Sequence, residues 1–256
     1  MATQTILKKL DGDLILRRST ADDLEPLAAF NNMIHGGDTG NEYVCAWVRD
    51  LLRGSHPTFN VEDFTVVEEV ENHQIISSLN LISQTWSYDG IPFGVGRPEL
   101  VGTNLDYRKR GLVRAQFDVI HEWSKQRGEL VQVITGIPYF YRQFGYEMTL
   151  ELGGSRFGYA AHLPPAPEGD TPEPFRLRLA TLEDLPFIRD LYNASLKRSL
   201  VSCVWTDDLW KHEFLEKSKQ NINRRDLHII EESQAGKPVG FIATPPVLWG
   251  DKMTAT

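Results

Sequence analysis

The chain has 256 residues and a formal net charge of −8, with 41% hydrophobic and 24% charged residues. That is ordinary for one large globular domain or two smaller ones, and the negative balance argues against general nucleic-acid binding. Two cysteines, Cys45 and Cys203, make no disulfide framework, seven histidines without ligand spacing make no metal site, and no stretch reaches the roughly 20 apolar residues of a membrane span.

Residues 1–12 read as a tail without the apolar core of a signal peptide, so a reducing, cytoplasmic setting is the default. Leu14–Arg17 reads as a strand. Thr20 with Asp23 three residues on is a capping box, and Leu24, Leu27, Ala28 and Phe30 form the apolar side of the helix it opens. Gly36-Gly37 breaks that helix. Glu42–Leu52 is a second one, with Tyr43, Trp47 and Leu51 spaced by four, and Cys45 reads as a small buried hydrophobe. Phe64–Val67 and Ile75–Ser83 are strands across the Glu71-Asn72-His73 turn. Trp86–Arg97, with four Gly or Pro residues, reads as a loop or irregular hairpin. Leu130–Ile134 alternates as a strand, Pro138–Phe144 reads as a short helix, and Glu147–Leu152 as a last strand.

The stretch Glu99–Val113 is the centre of the chain. Leu100 and Val101 end a strand, Asn104 and Asp106 suit a turn, and Arg108, Lys109, Arg110 and Gly111 precede a helix. Leu112, Ala115, Phe117, Val119, Ile120 and Trp123 lie at helical spacing in it. A helix N-terminus presents free N–H groups and partial positive charge, and a glycine there admits an anion to the backbone. The ligand this favours is a phosphate or pyrophosphate; the bland alternative is a solvated basic helix start.

Tyr107-Arg-Lys-Arg-Gly-Leu112 after a strand resembles the acetyl-CoA pyrophosphate loop of the GNAT N-acetyltransferases, usually Gln/Arg-x-x-Gly-x-Gly/Ala. Arg108 and Gly111 match. Val113 departs from the small residue usual there, which bears on how closely the backbone approaches the cofactor. Arg108–Val113 is similar to the variant in relatives of the enhanced-intracellular-survival (Eis) type. Gly136–Tyr146 looks like the family's late Phe-Tyr-x-x-x-Gly-Phe/Tyr segment. The resemblance covers about residues 13–155. It implies an α/β (α+β) fold, a mixed, largely antiparallel sheet flanked by helices. It implies acetyl-CoA bound by Val101, Gly102 and Thr103 of the strand and by Arg108, Lys109, Arg110, Gly111, Leu112 and Val113 of the loop. Tyr141 falls where the family places the acid for the leaving thiolate; the alternatives are an aromatic packed on the sheet, or Tyr146 in that role. The implied reaction is direct acetyl transfer to a primary amine of a small molecule or a lysine side chain. The other reading is a non-catalytic acyl-CoA-binding or regulatory module.

Acetyl transfer needs a polarised carbonyl, a neutral amine, a stabilised oxyanion and a protonated thiolate. An unperturbed tyrosine, with a pKa of about 10, suits the last task. No base is assigned: Glu99 reads as a surface carboxylate, and Eis-type relatives are thought to use a chain-terminal carboxylate. Trp47, Trp86, Tyr88 and Phe93 could wall an acceptor pocket, and the negative net charge suits a cationic amine. No nucleic-acid or membrane partner is expected, and a homo-oligomer is compatible with the sequence.

Pro164–Pro174, five prolines in eleven residues, is a linker. Beyond it the opening of the chain recurs. Leu16-Arg17, Thr20, Asp23-Leu24 and Asn32 match Leu177-Arg178, Thr181, Asp184-Leu185 and Asn193 at an offset of 161, and Phe64–Glu69 resembles Leu227–Glu232 at 163. The matches suggest a duplicated unit, the first over 13–160 and a partial second over 175–256, as in a truncated tandem Eis-type protein. The second part would then either depend on absent strands or dock on the first domain's sheet.

Overall fold

The computed structural model describes residues 4–36, 42–137, 139–151, 156–162, 172–245 and 252–255. Residues 1–3, Gly37, Pro138, Leu152 and most of the proline-rich linker lie outside them.

The strand expected at Leu14–Arg17 is present, and another, not expected, precedes it. β1 (Ile6–Leu10) occupies the expected tail and pairs antiparallel with β2 (Leu14–Arg18). The cause is local: Gly12 and Asp13 take positive φ (74° and 55°), closing a tight hairpin at Asp11-Gly12-Asp13. After a capping box at Thr20–Asp23 come α1 (Leu24–His35) and α2 (Glu42–Leu52).

β3 (Phe64–Glu69), β4 (Ile75–Tyr88) and β5 (Ile91–Thr103) continue the sheet antiparallel. Of the two readings of Trp86–Arg97, the hairpin is present rather than the loop, and its ladder is regular, with its turn at Asp89-Gly90 (φ 48° and 81°). Its glycines are spacers rather than breakers: a Cβ on Gly96 would stand 2.5 Å from Glu129 Oε2 and 2.8 Å from Ser124 Oγ. α3 (Leu112–Gln126) follows, then β6 (Val131–Gln132), which pairs parallel with β5. The sheet order is β1-β2-β3-β4-β5-β6.

The sheet has two covered faces. Leu27, Val48 and Leu51 of α1 and α2 bury against Phe64, Ile82 and Leu100. Phe117, Ile120 and Trp123 of α3 bury against Leu79 and Leu81 on the opposite face. Three expected elements shrink. The Leu130–Ile134 strand is two residues, the Pro138–Phe144 helix is a single 3-10 turn at Tyr141–Phe144, and residues 147–151 form no strand. β5 turns away from β6 beyond Gly96, so that chain has no neighbour with which to extend a ladder.

β7 (Arg156–Tyr159) pairs with the distant β12 (Lys252–Ala255). Between them lie β8 (Phe175–Leu179), α4 (Leu185–Leu196), β9 (Val201–Cys203), α5 (Asp207–Lys211), β10 (Asp226–Glu232) and β11 (Pro238–Thr244). β8, β10 and β11 form a separate antiparallel sheet over Ile188, Trp210, Leu227 and Ile229. β9 adds to the larger sheet: Trp86 to Tyr88 at the far end of β4, past the reach of β3, pair with Cys203 to Val201. Buried Asp50 of α2 also accepts hydrogen bonds from Ser218 N (2.8 Å), Ser218 Oγ (3.0 Å) and Asn221 Nδ2 (2.7 Å).

Two Arg-Asp-Glu networks repeat with the sequence offsets. Arg17 holds Asp23 in a two-bond fork (2.7 and 2.8 Å) and Glu68 through Nε (2.6 Å). Arg178 holds Asp184 in the same fork (2.7 and 2.7 Å) and Glu231 through Nε (2.7 Å). In each the Asp also caps the following turn through its Thr.

Candidate active site

Two backbone irregularities build the site. The first is a bulge in β5. Ser78 pairs with Gly102 and Asn80 with Glu99, so β5 carries one extra residue there, and Leu100 takes φ 53°. The second is the divergence of β5 from β6. The pair is hydrogen-bonded from Leu130 N to Gly94 O and from Val133 N to Gly96 O (2.9 Å each), and no further contact of this kind follows among the described residues. Between Gly96 and Thr103, β5 thus keeps β4 on one edge and leaves the other open. An open strand edge is a row of donors and acceptors ready for an extended ligand.

The open edge leads into the junction. Asn104 Oδ1 accepts from Asp106 N (3.2 Å) and a 3-10 turn covers Leu105–Tyr107. Lys109 and Gly111 then take left-handed conformations (φ 63° and 72°). Gly111 is the N-cap of α3, with nothing within 4 Å of where a Cβ would stand. The helical ladder begins with Ala115 N donating to Gly111 O (3.0 Å), so the amides of residues 111–114 precede it. Amides in this arrangement suit an anion.

The residues named from sequence divide by role. The side chains of Arg108 and Lys109 are exposed and make no ion pair among the described residues. Arg110 is turned away: it donates to Asp11 O (3.0 Å) and lies 5.2 Å over the Tyr107 ring. Leu112 is buried core and Val113 packs beside α3's core face, leaving their amides for a ligand. Gly102 is held against α1, where a Cβ would meet Ile34 Cγ2 at 2.9 Å. The Thr103 hydroxyl is engaged with Ser77 Oγ (2.8 Å), and Val101 packs toward α3.

A buried polar chain fixes this junction to the sheet. Gln116 Nε2 donates to Ser77 Oγ (2.7 Å), Thr65 Oγ1 donates to Gln116 Oε1 (3.0 Å), and Ser77 Oγ donates to Gly102 O (2.6 Å). Gln116 is fully buried, so each of these bonds is costly to lose. Nothing in the helical periodicity singles out Gln116.

Tyr141 opens the 3-10 turn, 8% exposed, beside Phe117 and Phe140 (ring centroids 6.0 and 5.0 Å). Burial, and secondarily the charge of Glu99, push its hydroxyl up to about 12. Among the described residues that hydroxyl has no hydrogen-bond partner. Tyr146 differs: its hydroxyl meets Gln132 Oε1 and lies 3.4 Å from His121 Nε2. Glu99 is not the surface group expected. Its side chain is 13% exposed, burial raises its carboxyl above the usual range, and Arg97 at 2.6 Å partly offsets that.

Arg97 also borders a cavity of about 550 Å³ between α2, the β4–β5 ladder and the C-terminal part. Trp47 lines it, as do Tyr192, Trp205, Trp210 and Phe241. Trp86, Tyr88 and Phe93, expected in such a wall, do not line it; they lie on the far end of the ladder, which β9 joins. The replacement aromatics, Tyr192 to Phe241, come from about 90 or more residues downstream of the β5 bulge, a pairing that local patterns do not encode.

Known proteins share this fold. A Saccharomyces cerevisiae N-myristoyltransferase with bound myristoyl-CoA superposes with a TM-score of 0.67 at 12% identity, over 95% of this chain and 62% of its own. A GCN5-related N-acetyltransferase from Kribbella flavida gives 0.58 at 18%, over 93% and 55%. A conserved protein of unknown function from Enterococcus faecalis V583, titled a probable N-acyltransferase, gives 0.62 at 14%, over 90% and 55%. At these identities the likeness is one of fold, the expected mixed sheet flanked by helices, and this chain spans little more than half of two of the three. No curated protein matches in sequence. No helix of the described residues is long and apolar enough to cross a membrane. The family model for the acetyltransferase (GNAT) domain matches residues 16–149, more than half of the 256, and the chain belongs to that family.

Proposed function

We propose that the chain is an acyl-CoA-dependent N-acyltransferase, moving an acetyl group to a primary amine of a small molecule or a lysine side chain by direct transfer. The observation that carries this is the unpartnered Tyr141 hydroxyl, close enough to Glu99 to feel its charge, beside an open strand edge that runs into the amides at the start of α3. Acyl-CoA supplies the activated acyl group. The amides of residues 111–114, with Arg108 and Lys109, would hold its pyrophosphate, and the open edge of β5 at Val101–Thr103 would hold its extended arm.

The remaining chemistry belongs to this chain's side chains. Glu99 takes the proton from the incoming ammonium; its raised pKa makes it a stronger base than a surface carboxylate. Tyr141 donates its hydroxyl proton toward the departing sulfur. A phenol near 12 is a weaker acid than a thiol of about 8.5. It therefore acts by hydrogen-bonding the sulfur as charge builds, not by ionising beforehand. Arg97 holds Glu99 in place.

Residues 175–256 read as part of a second unit of the same design, supported by the Arg178–Asp184–Glu231 network that mirrors Arg17–Asp23–Glu68. A second unit is what the resemblance to tandem Eis-type proteins implies.

The test is thiol release from acetyl-CoA across a panel of primary amines. Amine-dependent release that Glu99→Gln and Tyr141→Phe each reduce about 100-fold, with acetyl-CoA affinity kept, supports the reading. Stabilisation by CoA without release from any amine would instead make it an acyl-CoA-binding module.

A further inference from the structure

We infer that the cavity beside Arg97 receives the acceptor, and that the acceptor is a monoamine with a flat aromatic body rather than a polycation such as a polyamine or aminoglycoside. This rests on the acyl-transfer reading above and adds the substrate class. Position comes first. Ile82 and Arg97 are cross-strand partners, Asn80 and Glu99 are the next pair on the same face with Leu81 and Pro98 between, and Ile82 and Arg97 both line the cavity. The cavity therefore lies on the Glu99 side of the ladder, two residues along β5 from the base.

The walls decide what it takes. Trp205 and Trp210 lie with ring centroids 4.4 Å apart, and Tyr192 stands 5.4 Å from Trp210, edge to face. Trp47 and Phe241 add apolar surface. Such a surface fits a flat ring, because aromatic pairs gain both area and edge-to-face contact.

Charge excludes the polycation. The lining carries two carboxylates, Asp50 and Glu213, against three cations, Arg97, Lys217 and Arg225. Both carboxylates are already occupied. Asp50 accepts from Ser218, Asn221 and Arg53. Glu213 pairs with Lys217 and accepts from Arg225 N (3.1 Å). Arg97 is itself paired with Glu99, so a ligand with several ammonium groups would bury the extra ones with no unpaired carboxylate in the lining to meet them, a heavy desolvation cost. A monoamine places its single nitrogen at Glu99 and keeps its body among the rings.

The experiment compares kcat/KM for 2-phenylethylamine and spermidine with acetyl-CoA, alongside calorimetric binding of each amine. The expected result favours 2-phenylethylamine at least about tenfold, with Trp205→Ala raising its KM without a matching loss for n-butylamine. Gln84→Glu keeps shape while adding a carboxylate to the wall, and should raise kcat/KM for spermidine by about tenfold. Equal or reversed preference, or a Gln84→Glu variant that leaves spermidine unchanged, overturns the assignment while the acyltransferase reading stands. Should neither amine be acetylated, calorimetry separates the two ideas. Binding of 2-phenylethylamine that Trp205→Ala weakens supports the cavity's ligand class and removes the catalytic reading; no binding removes the ligand class.

Discussion

The two Arg-Asp-Glu networks have the same geometry and different surroundings. Arg17, Asp23 and Glu68 are 2%, 6% and 2% exposed, under the sheet that carries the candidate site. The side chain of Arg178 is 37% exposed, although its partners Asp184 and Glu231 are largely covered. Identical bond lengths therefore do not imply identical worth. A buried network is dangerous to break, since losing one member strands the others in low dielectric, whereas water can replace the cation of the second. The first network ties β2, α1 and β3 together, and α1 in turn packs Ile34 on Gly102, at the end of the open strand edge.

The largest expected effect tests that contrast at its root. Arg17→Met should cost about 3–5 kcal/mol in a urea melt, because it leaves Asp23 and Glu68 buried without their cation. Arg178→Met should cost clearly less. Equal losses would show that burial does not set the value of these networks.

Next is a contrast of function inside the first region. Tyr141→Phe should lower kcat about 100-fold with acetyl-CoA affinity unchanged. Tyr146→Phe, whose hydroxyl is already bonded to Gln132, should act mainly through stability. Comparable kcat losses from both would assign the effect to packing of the aromatic cluster.

A smaller effect concerns the contact of the two regions. His56 and His212 meet across it with ring centroids 4.7 Å apart. Burial first, then His212 and Lys217, lower His56 from 6.5 to about 4. The folded protein thus holds His56 neutral where the unfolded chain would protonate it. The stability this provides is complete above pH 6.5 and declines as pH falls toward about 4. His56→Gln should flatten the melting midpoint across that window; an unchanged pH profile would place the acid sensitivity elsewhere.

The smallest lies in the second network. Arg178, then the cap at Thr181, lower Asp184 from 3.8 to about 2 against the opposing effect of burial. Its contribution is present above pH 3.8 and lost as pH falls through about 2. Asp184→Asn should remove that dependence and give up the contribution that is complete at neutral pH, as measured by acid titration of secondary structure and a urea melt at pH 7.

Legibility followed the range of the interactions. The cap at Thr20–Asp23, both early helices and the strand-to-helix junction at Gly111 are set by neighbours a few residues apart, and sequence patterns locate them. The network members lay within the matched blocks around Arg17 and Arg178, but their meeting required strands to pair. Glu99 read as a surface group because the bulge at Leu100 and the cover over its carboxyl are not encoded in the alternation around it. β1 was hidden by treating Ile6–Leu10 apart from the Asp11-Gly12 turn that folds it back. The cavity's aromatic wall joins Trp47 to Trp205 and Trp210, a separation no local period reveals.

The central claim is that the peptide amides at the start of α3 hold a pyrophosphate. Calorimetry of acetyl-CoA against acetyl-pantetheine, which has the same thioester arm and no pyrophosphate, tests it most directly, with Gly111→Val as the partner variant. The account predicts that acetyl-CoA binds at least about 100-fold more tightly, the equivalent of about 2.7 kcal/mol, and that Gly111→Val, forced toward φ 72° and crowding those amides, removes most of that advantage. Equal affinity for the two thioesters, or an advantage that survives in Gly111→Val, would contradict it.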